Sequence, residues 1–227
     1  MIQEAHTAYN SGDFNTAFEL YTDLANTGSA TAQASLGYMY QNAQGTTEDI
    51  NKAAHWFAQA AEQKHPLAMY NLAVLMMHGQ GVEHDMMKAH ELFMEAAVRE
   101  IPQAQYETAM MLEKGIGCLQ NFSEAAFWYE EAAKRGNADA FNNLGVLFKE
   151  GHGVDMDYTK AFHLFKKAAE KNLPTAQYNL GQMYDQGHGC EMDNDMALEW
   201  CRKAAYSGHE KAKSIIAALQ SDGKIVF

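Results

Sequence analysis

The sequence predicts an all-α fold, a solenoid of stacked antiparallel helix pairs. Three observations predict it. One residue pattern returns every 36 positions, as in Ala32, Ala68, Ala104, Ala140, Ala176 and Ala212. Apolar residues inside each period fall at helical spacing rather than in alternation. Each period also carries the punctuation of two helices, with glycines in one connection and a capping acid or amide after them. A fixed period of this length marks an array whose units bury their apolar faces only by stacking.

The columns define the unit. Five residues after the first alanine comes a small residue: Gly37, Ala73, Ala109, Gly145, Gly181 and Ala217. A second alanine column runs through Ala17, Ala53, Ala89, Ala125, Ala161 and Ala197. Helix A, for example Thr31 to Asn42, carries Leu36 and Tyr40, repeated as Leu72 and Met76, Leu144 and Phe148, and Leu180 and Tyr184. A loop with two glycines follows, such as Gly79 and Gly81 or Gly151 and Gly153, where positive φ is expected. Asp49, Asp85, Asn121, Asp157 and Asp193 then stand where an N-cap is needed. Helix B carries Trp56-Phe57, Leu92-Phe93, Trp128-Tyr129, Leu164-Phe165 and Trp200-Cys201. Gly28, Gly136, Asn172 and Gly208 sit where helix B must stop in a left-handed residue, and Pro66, Pro102 and Pro174 block its continuation. Small residues let the two helices approach closely, while the large ones fill the space between successive pairs.

These columns divide the chain into a cap, residues 1–30, five units at 31–66, 67–102, 103–138, 139–174 and 175–210, a capping helix at 211–221 and a tail at 222–227. One solenoid domain is expected. The cap has a shorter connection, Asn10-Ser11-Gly12-Asp13-Phe14. At the other end Ala212 to Gln220 supplies one more helix A, which Asp222-Gly223 is expected to end.

The assembled motif, Ala-x-x-x-Leu-Gly-x-x-Tyr followed by Gly-x-Gly-Val-x-x-Asp-x-x-Lys-Ala, has its middle part in Val82, Asp85, Lys88 and Ala89 and again in Val154, Asp157, Lys160 and Ala161. It resembles the Sel-one-like repeat (SLR), a relative of the tetratricopeptide repeat, over about residues 31–221. The resemblance implies a right-handed superhelix with helices A on its concave side. It also implies adaptor or scaffold roles, common in bacterial signalling, envelope biology and host interaction. A cysteine-rich bacterial branch of the family has a disulfide in each repeat. This chain departs from it: Cys118 and Cys190 take the slot of Val82 and Val154, and Cys201 that of Phe57. With three cysteines and no C-x-x-C pair, no disulfide framework is expected.

Composition narrows function. A net charge of −12 without a basic stripe argues against nucleic acid and anionic membrane surfaces. No apolar run approaches the roughly 20 residues that span a bilayer. No signal peptide is visible, which suggests a cytoplasmic protein, or a periplasmic or secreted one if a leader was removed. The sequence holds no Gly-x-Ser-x-Gly, Ser-x-x-Lys, His-Glu-x-x-His or Gly-x-x-x-x-Gly-Lys motif, so no catalytic residue is assigned and no enzyme is expected. His188, Cys190, Glu191, Asp193 and Asp195, with His152 one period earlier, are metal-ligand types, but their spacing matches neither a zinc nor a calcium site. No metal or cofactor is expected.

The candidate site is a binding face on helices A. One column holds Tyr70, Tyr106, Asn142 and Tyr178; the next holds Asn71, Glu107, Asn143 and Asn179; one turn on lie Tyr38, Val74, Met110, Val146 and Gln182. In related tetratricopeptide proteins, asparagines at the second column hold the backbone of an extended peptide, a task suited to a group that both donates and accepts. The same asparagines could instead bond locally. Lys114 and Lys149 are the only bases in this region, too few for a carboxylate clamp. The expectation is a monomeric adaptor that holds another protein or a peptide in its concave groove. The alternative is an inhibitor or immunity-type protein that covers a toxin or enzyme. Acids gather where helices B begin, for example Asp155 and Asp157, and bases toward their ends, as helix dipoles favour.

Overall fold

The computed structural model describes residues 1–221, in which thirteen α-helices and no strands occur. The chain is an α-solenoid of consecutively packed helix pairs, and it forms two compact units. The first, Met1–Gln120, contains α1 (Ile2–Asn10), α2 (Phe14–Asn26), α3 (Ala30–Gln41), α4 (Ile50–Glu62), α5 (Pro66–His78), α6 (Met86–Val98) and α7 (Pro102–Lys114). The second begins at Asn121 and contains α8 (Phe122–Lys134), α9 (Ala138–Glu150), α10 (Tyr158–Glu170), α11 (Pro174–Gln186), α12 (Asn194–Tyr206) and α13 (Glu210–Ser221). Within each unit every helix packs on the next. Helices A are α3, α5, α7, α9, α11 and α13; helices B are the even-numbered ones. The expected stop at Asp222-Gly223 and the tail to residue 227 lie outside the described residues.

Local chemistry places the helix ends. Asp13, Asp49, Asp85, Asn121, Asp157 and Asp193 each accept a hydrogen bond from the backbone N–H three residues on, at 2.9–3.2 Å. Each satisfies one of the donors that a helix start leaves open. Helices A begin at a second capping column, where Ser29, His65, Asn137 and His209 accept from Ala32, Ala68, Ala140 and Ala212. Ile101 and Leu173 occupy the same column and make no side-chain cap. Pro102 and Pro174 follow them at the first helical turn, where the missing N–H costs nothing. The prolines therefore start helix A rather than merely ending helix B.

Helix B ends in a left-handed residue, as expected at Gly28, Gly136, Asn172 and Gly208. The same geometry is imposed on Lys64 (φ 62°) and Glu100 (φ 63°), which hold that slot in the other two units. After helix A, Gly81 (φ 69°) is required twice over: its backbone is left-handed, and a Cβ would lie 2.5 Å from the carbonyl oxygen of Ile50.

The core lies where the small and large columns meet. Phe57, Phe93, Tyr129 and Phe165 are fully buried, and so are the alanines of both alanine columns except Ala197, at 9% exposed. Among the large side chains of helix A the column most completely buried is Met39, Leu75, Met111, Leu147 and Met183. Tyr40, Met76, Phe148 and Tyr184 are only half-buried. The buried stripe thus runs through i and i+3 from each Leu, not i and i+4. Three glutamines also enter the core, Gln33, Gln105 and Gln177; Gln33 donates to the carbonyl of Ala25, and Gln105 to that of Ala97. These two bonds serve the open C-terminal end of the preceding helix B.

Candidate functional site

Helix periodicity lays the candidate residues along one face of each helix A, and packing sets how much of each is presented. In the first unit Tyr38 is 44% exposed, while Tyr70, Asn71, Val74, Tyr106 and Met110 are half-buried. The ring of Tyr70 leans on Phe93, with centroids 5.6 Å apart. Burial raises the phenol of Tyr70 and the carboxyl of the neighbouring Glu107; the latter is opposed by the charges of His78 and Lys114.

Tyr38 and Asn71 line a hollow of about 330 Å³ in this unit, together with His6, Tyr9, Tyr21, Ser35, His65 and Leu67. Three phenols, the hydroxyls of Ser35 and Thr31, an amide and two imidazoles line a space that the exposed Leu67 also borders. Burial raises the Tyr9 and Tyr21 phenols and lowers the His65 imidazole, favouring the neutral form of each. The Tyr9 hydroxyl donates to the Gln44 side-chain carbonyl at 2.8 Å, which fixes its ring. Such a wall can take an apolar group and hydrogen-bond its polar neighbours. Sequence reading missed His6 and Tyr9 because they precede the shorter connection of the cap and so fall out of the 36-residue register, and missed Tyr21 although it stands 36 residues before Phe57 in the aromatic column. The aromatic content of the cap was the available signal.

In the second unit Asn143, Val146, Tyr178, Asn179 and Gln182 are half-buried. The amides meet one another. Asn179 donates to Asn142 at 2.9 Å, Asn142 to Asn143 at 3.1 Å, and Asn143 to the hydroxyl of Tyr129 at 3.1 Å. Gln182 donates to the hydroxyl of Tyr178 at 3.0 Å, and the Tyr178 ring stacks on His209 at 4.4 Å. Each amide has two N–H donors and a carbonyl with two lone pairs. The chain therefore orients these groups without exhausting them, and they form a held polar surface.

The residues of metal-ligand type have other roles. His188 stacks on Tyr158 at 4.2 Å and His152 lies against Phe122 at 5.0 Å, the same contact one period apart. The thiols of Cys118 and Cys190 donate to the carbonyls of Met111 and Met183, again one equivalent position in two units. All three cysteines are free thiols. Among the described residues no three His, Cys, Asp or Glu side chains group to hold a metal ion, and no helix is long and apolar enough to cross a membrane.

A second hollow, of about 600 Å³, opens between α11, α12 and α13, where Tyr178 and Gln182 are joined by Gly181, Asp185, Leu198, Cys201, Ile215 and Leu219. The 36-residue register puts Cys201 in the slot of Phe57. Its departure from the aromatic column was the signal of a space.

The Sel1 repeat family model matches residues 30–65, 66–97, 102–137, 138–173 and 174–209. The crystal structure of a Sel1 repeat protein from Oxalobacter formigenes is similar, with a TM-score of 0.86 and 27% identity, over 96% of this chain and 86% of that one. So is that of c5321, a protective antigen present in uropathogenic Escherichia coli strains and displaying an SLR fold. Its TM-score is 0.84 and its identity 30%, over 90% of this chain and 44% of that one. No curated protein matches the sequence significantly.

Proposed function

The chain belongs to the Sel1 repeat family, whose members mediate protein–protein interaction, and from that premise we propose that it is a non-catalytic adaptor that holds a partner protein or peptide on its helix-A faces. The observation that carries this reading is the alignment of tyrosines and amides on helices A, the exposed Tyr38 with the half-buried Tyr70 and Asn71 in one unit, and the half-buried Tyr178, Asn179 and Gln182 in the other. Tyrosine gives large contact area at low entropic cost and is enriched among residues that dominate binding energy. Amides can satisfy the backbone of a bound segment, which is otherwise desolvated without partners. The hollow beside Tyr38 and Asn71 offers a place for an anchoring side chain.

The test is affinity capture from a lysate of the source organism, with bound proteins identified by mass spectrometry. Three forms of the full chain are compared: wild type, the double variant Tyr38→Ala/Asn71→Ala, and Met87→Ala on the exposed surface of α6. A partner lost by the double variant and kept by Met87→Ala supports the helix-A face. The reverse pattern places binding on helices B and overturns it.

A further inference from the structure

The repeats supply an internal reference for the second hollow. In four of the five units one position of helix B carries a fully buried aromatic ring: Phe57, Phe93, Tyr129 or Phe165. Where the facing helix-A residue is glycine, the ring lies directly on it. A Cβ built on Gly37 would stand 2.8 Å from Cδ1 and Cε1 of Phe57, and one on Gly145 would stand 2.8 Å from Cε1 of Phe165. The fifth unit keeps the glycine, Gly181, but has Cys201 in place of the ring. The three atoms nearest a Cβ on Gly181 would be the Ala197 carbonyl oxygen at 3.1 Å, the Cys201 backbone nitrogen at 3.4 Å and the Trp200 Cβ at 3.6 Å; none belongs to the Cys201 side chain, where in the other two glycine units the nearest atoms are ring carbons. The Cys201 thiol turns instead toward the Ala212 carbonyl of α13.

The space left by the ring is not closed by the last helix. The hollow of about 600 Å³ reaches Gly181 and Cys201, with Leu198, Ile215 and Leu219 as apolar walls and Asp185, an exposed carboxylate, at its edge. An apolar cavity of about 150 Å³ suffices to bind a benzene ring, so size does not limit entry. The other four units show what this geometry accepts, namely a phenyl or phenol ring laid on the helix-A backbone. The carboxylate and the net charge of −12 favour a cationic neighbour on whatever brings the ring.

We propose that this cavity receives an aromatic side chain of a partner protein, flanked by a basic residue that pairs with Asp185. The partner completes the fifth unit by supplying the ring that Cys201 omits. The inference rests on the adaptor reading for the origin of the ring, but the cavity's preference for a ring can be measured without any partner.

Cys201 makes that measurement direct. The full chain is equilibrated at about pH 8.5, because burial raises the Cys201 thiol. The reagents are mixed disulfides of cysteamine with 2-phenylethanethiol or with ethanethiol, under excess 2-mercaptoethanol. The Cys201 thiolate attacks the sulfur that carries the phenylethyl or ethyl group, forms a new disulfide with it and releases cysteamine thiolate, so the reagent itself is the two-electron oxidant and no other is needed. Peptide mapping should show Cys201 retaining the phenylethyl label about tenfold over the ethyl label, as expected for burying a ring. Cys118 and Cys190, in loop slots away from the hollow, should show no such preference. An aminomethyl group on the ring should add about two- to fivefold, and Asp185→Asn should remove that increment.

Cys201→Phe should restore the ring of the other units, raise the melting temperature and abolish binding of free phenethylamine seen by saturation-transfer NMR. Equal retention of both labels at Cys201, or a lower melting temperature for Cys201→Phe, overturns the proposal. Aromatic preference that emerges only after deletion of residues 222–227 assigns the site to the chain's own Phe227 and overturns the partner. Failure of these tests leaves the helix-A capture result standing. Loss of helix-A capture with ring preference intact shows a pocket without the adaptor role.

Discussion

Gly145→Val should destabilise the second unit because a buried ring already occupies the space. A Cβ at Gly145 would stand 2.8, 3.0 and 3.2 Å from Cε1, Cδ1 and Cζ of Phe165, where carbon atoms prefer about 3.5–4.0 Å. Valine adds two further methyl groups beyond that Cβ. Phe165 is fully buried among Ala161, Ala168, Leu180 and Met183, so the ring cannot retreat without moving α10 or α11. Overpacking of this kind costs about 1–3 kcal/mol. Replacing glycine in a helix by valine returns about 0.3 kcal/mol of propensity. The net loss is about 2 kcal/mol, or about 4–8 °C in melting temperature for a domain near this size. Thermal denaturation followed by circular dichroism measures it. Gly181→Val is the control, since it faces the slot from which the ring is missing; its nearest contact is the Ala197 carbonyl at 3.1 Å. It should lose less than half as much. An unchanged melting temperature for Gly145→Val, or equal losses at the two positions, would refute the role given to the ring.

Reducing agent should leave the melting temperature unchanged, because Cys118, Cys190 and Cys201 are free thiols; a drop of several degrees would show a staple. Asn143→Ala with Asn179→Ala should weaken binding of an identified partner about tenfold by calorimetry. The same change removes the donors to Tyr129 and Asn142 and so lowers stability by about 0.5–1.5 kcal/mol per bond. Replacing Asp155 and Glu191 should instead change the association rate and its salt dependence; loss of binding there alone, with the asparagine variant binding normally, would move the site to the acidic edge. Glu107→Gln should raise the melting temperature at neutral pH, because burial holds the Glu107 carboxyl above its ordinary value. A raised folded value means that the charged form destabilises above it, and that the penalty fades as pH falls through it toward the unfolded value of about 4.3. The gain from glutamine should therefore shrink between neutral pH and pH 4, and a pH-independent gain would contradict the assignment.

The sequence by itself determined what short-range chemistry and strict repetition determine. Asp49, Asp85, Asn121, Asp157 and Asp193 could be read as caps because a capping bond spans three residues. The helix pair could be read because alanine and glycine recur at positions where two backbones must approach. Tertiary structure decided the questions whose answers lie with residues far along the chain. It chose Met39, Leu75, Met111, Leu147 and Met183 as the most buried large side chains of helix A, ahead of Tyr40, Met76, Phe148 and Tyr184, although both stripes have helical spacing, because only one points at the neighbouring helices. It put Lys64 and Glu100 into the left-handed turn that glycine or Asn172 holds in the other units, between the end of helix B and the start of the next helix A. It joined Asn142 to Asn179 across 37 residues and Asn143 to Tyr129 across 14, so that one polar column became a linked network. It also turned the substitution at Cys201 into a cavity, because α13, packed against α12, does not fill the volume an aromatic ring occupies in the other four units. Spacing along the chain gives the period of a side chain, but only packing gives its neighbours, and a missing neighbour is visible only when the others are in place.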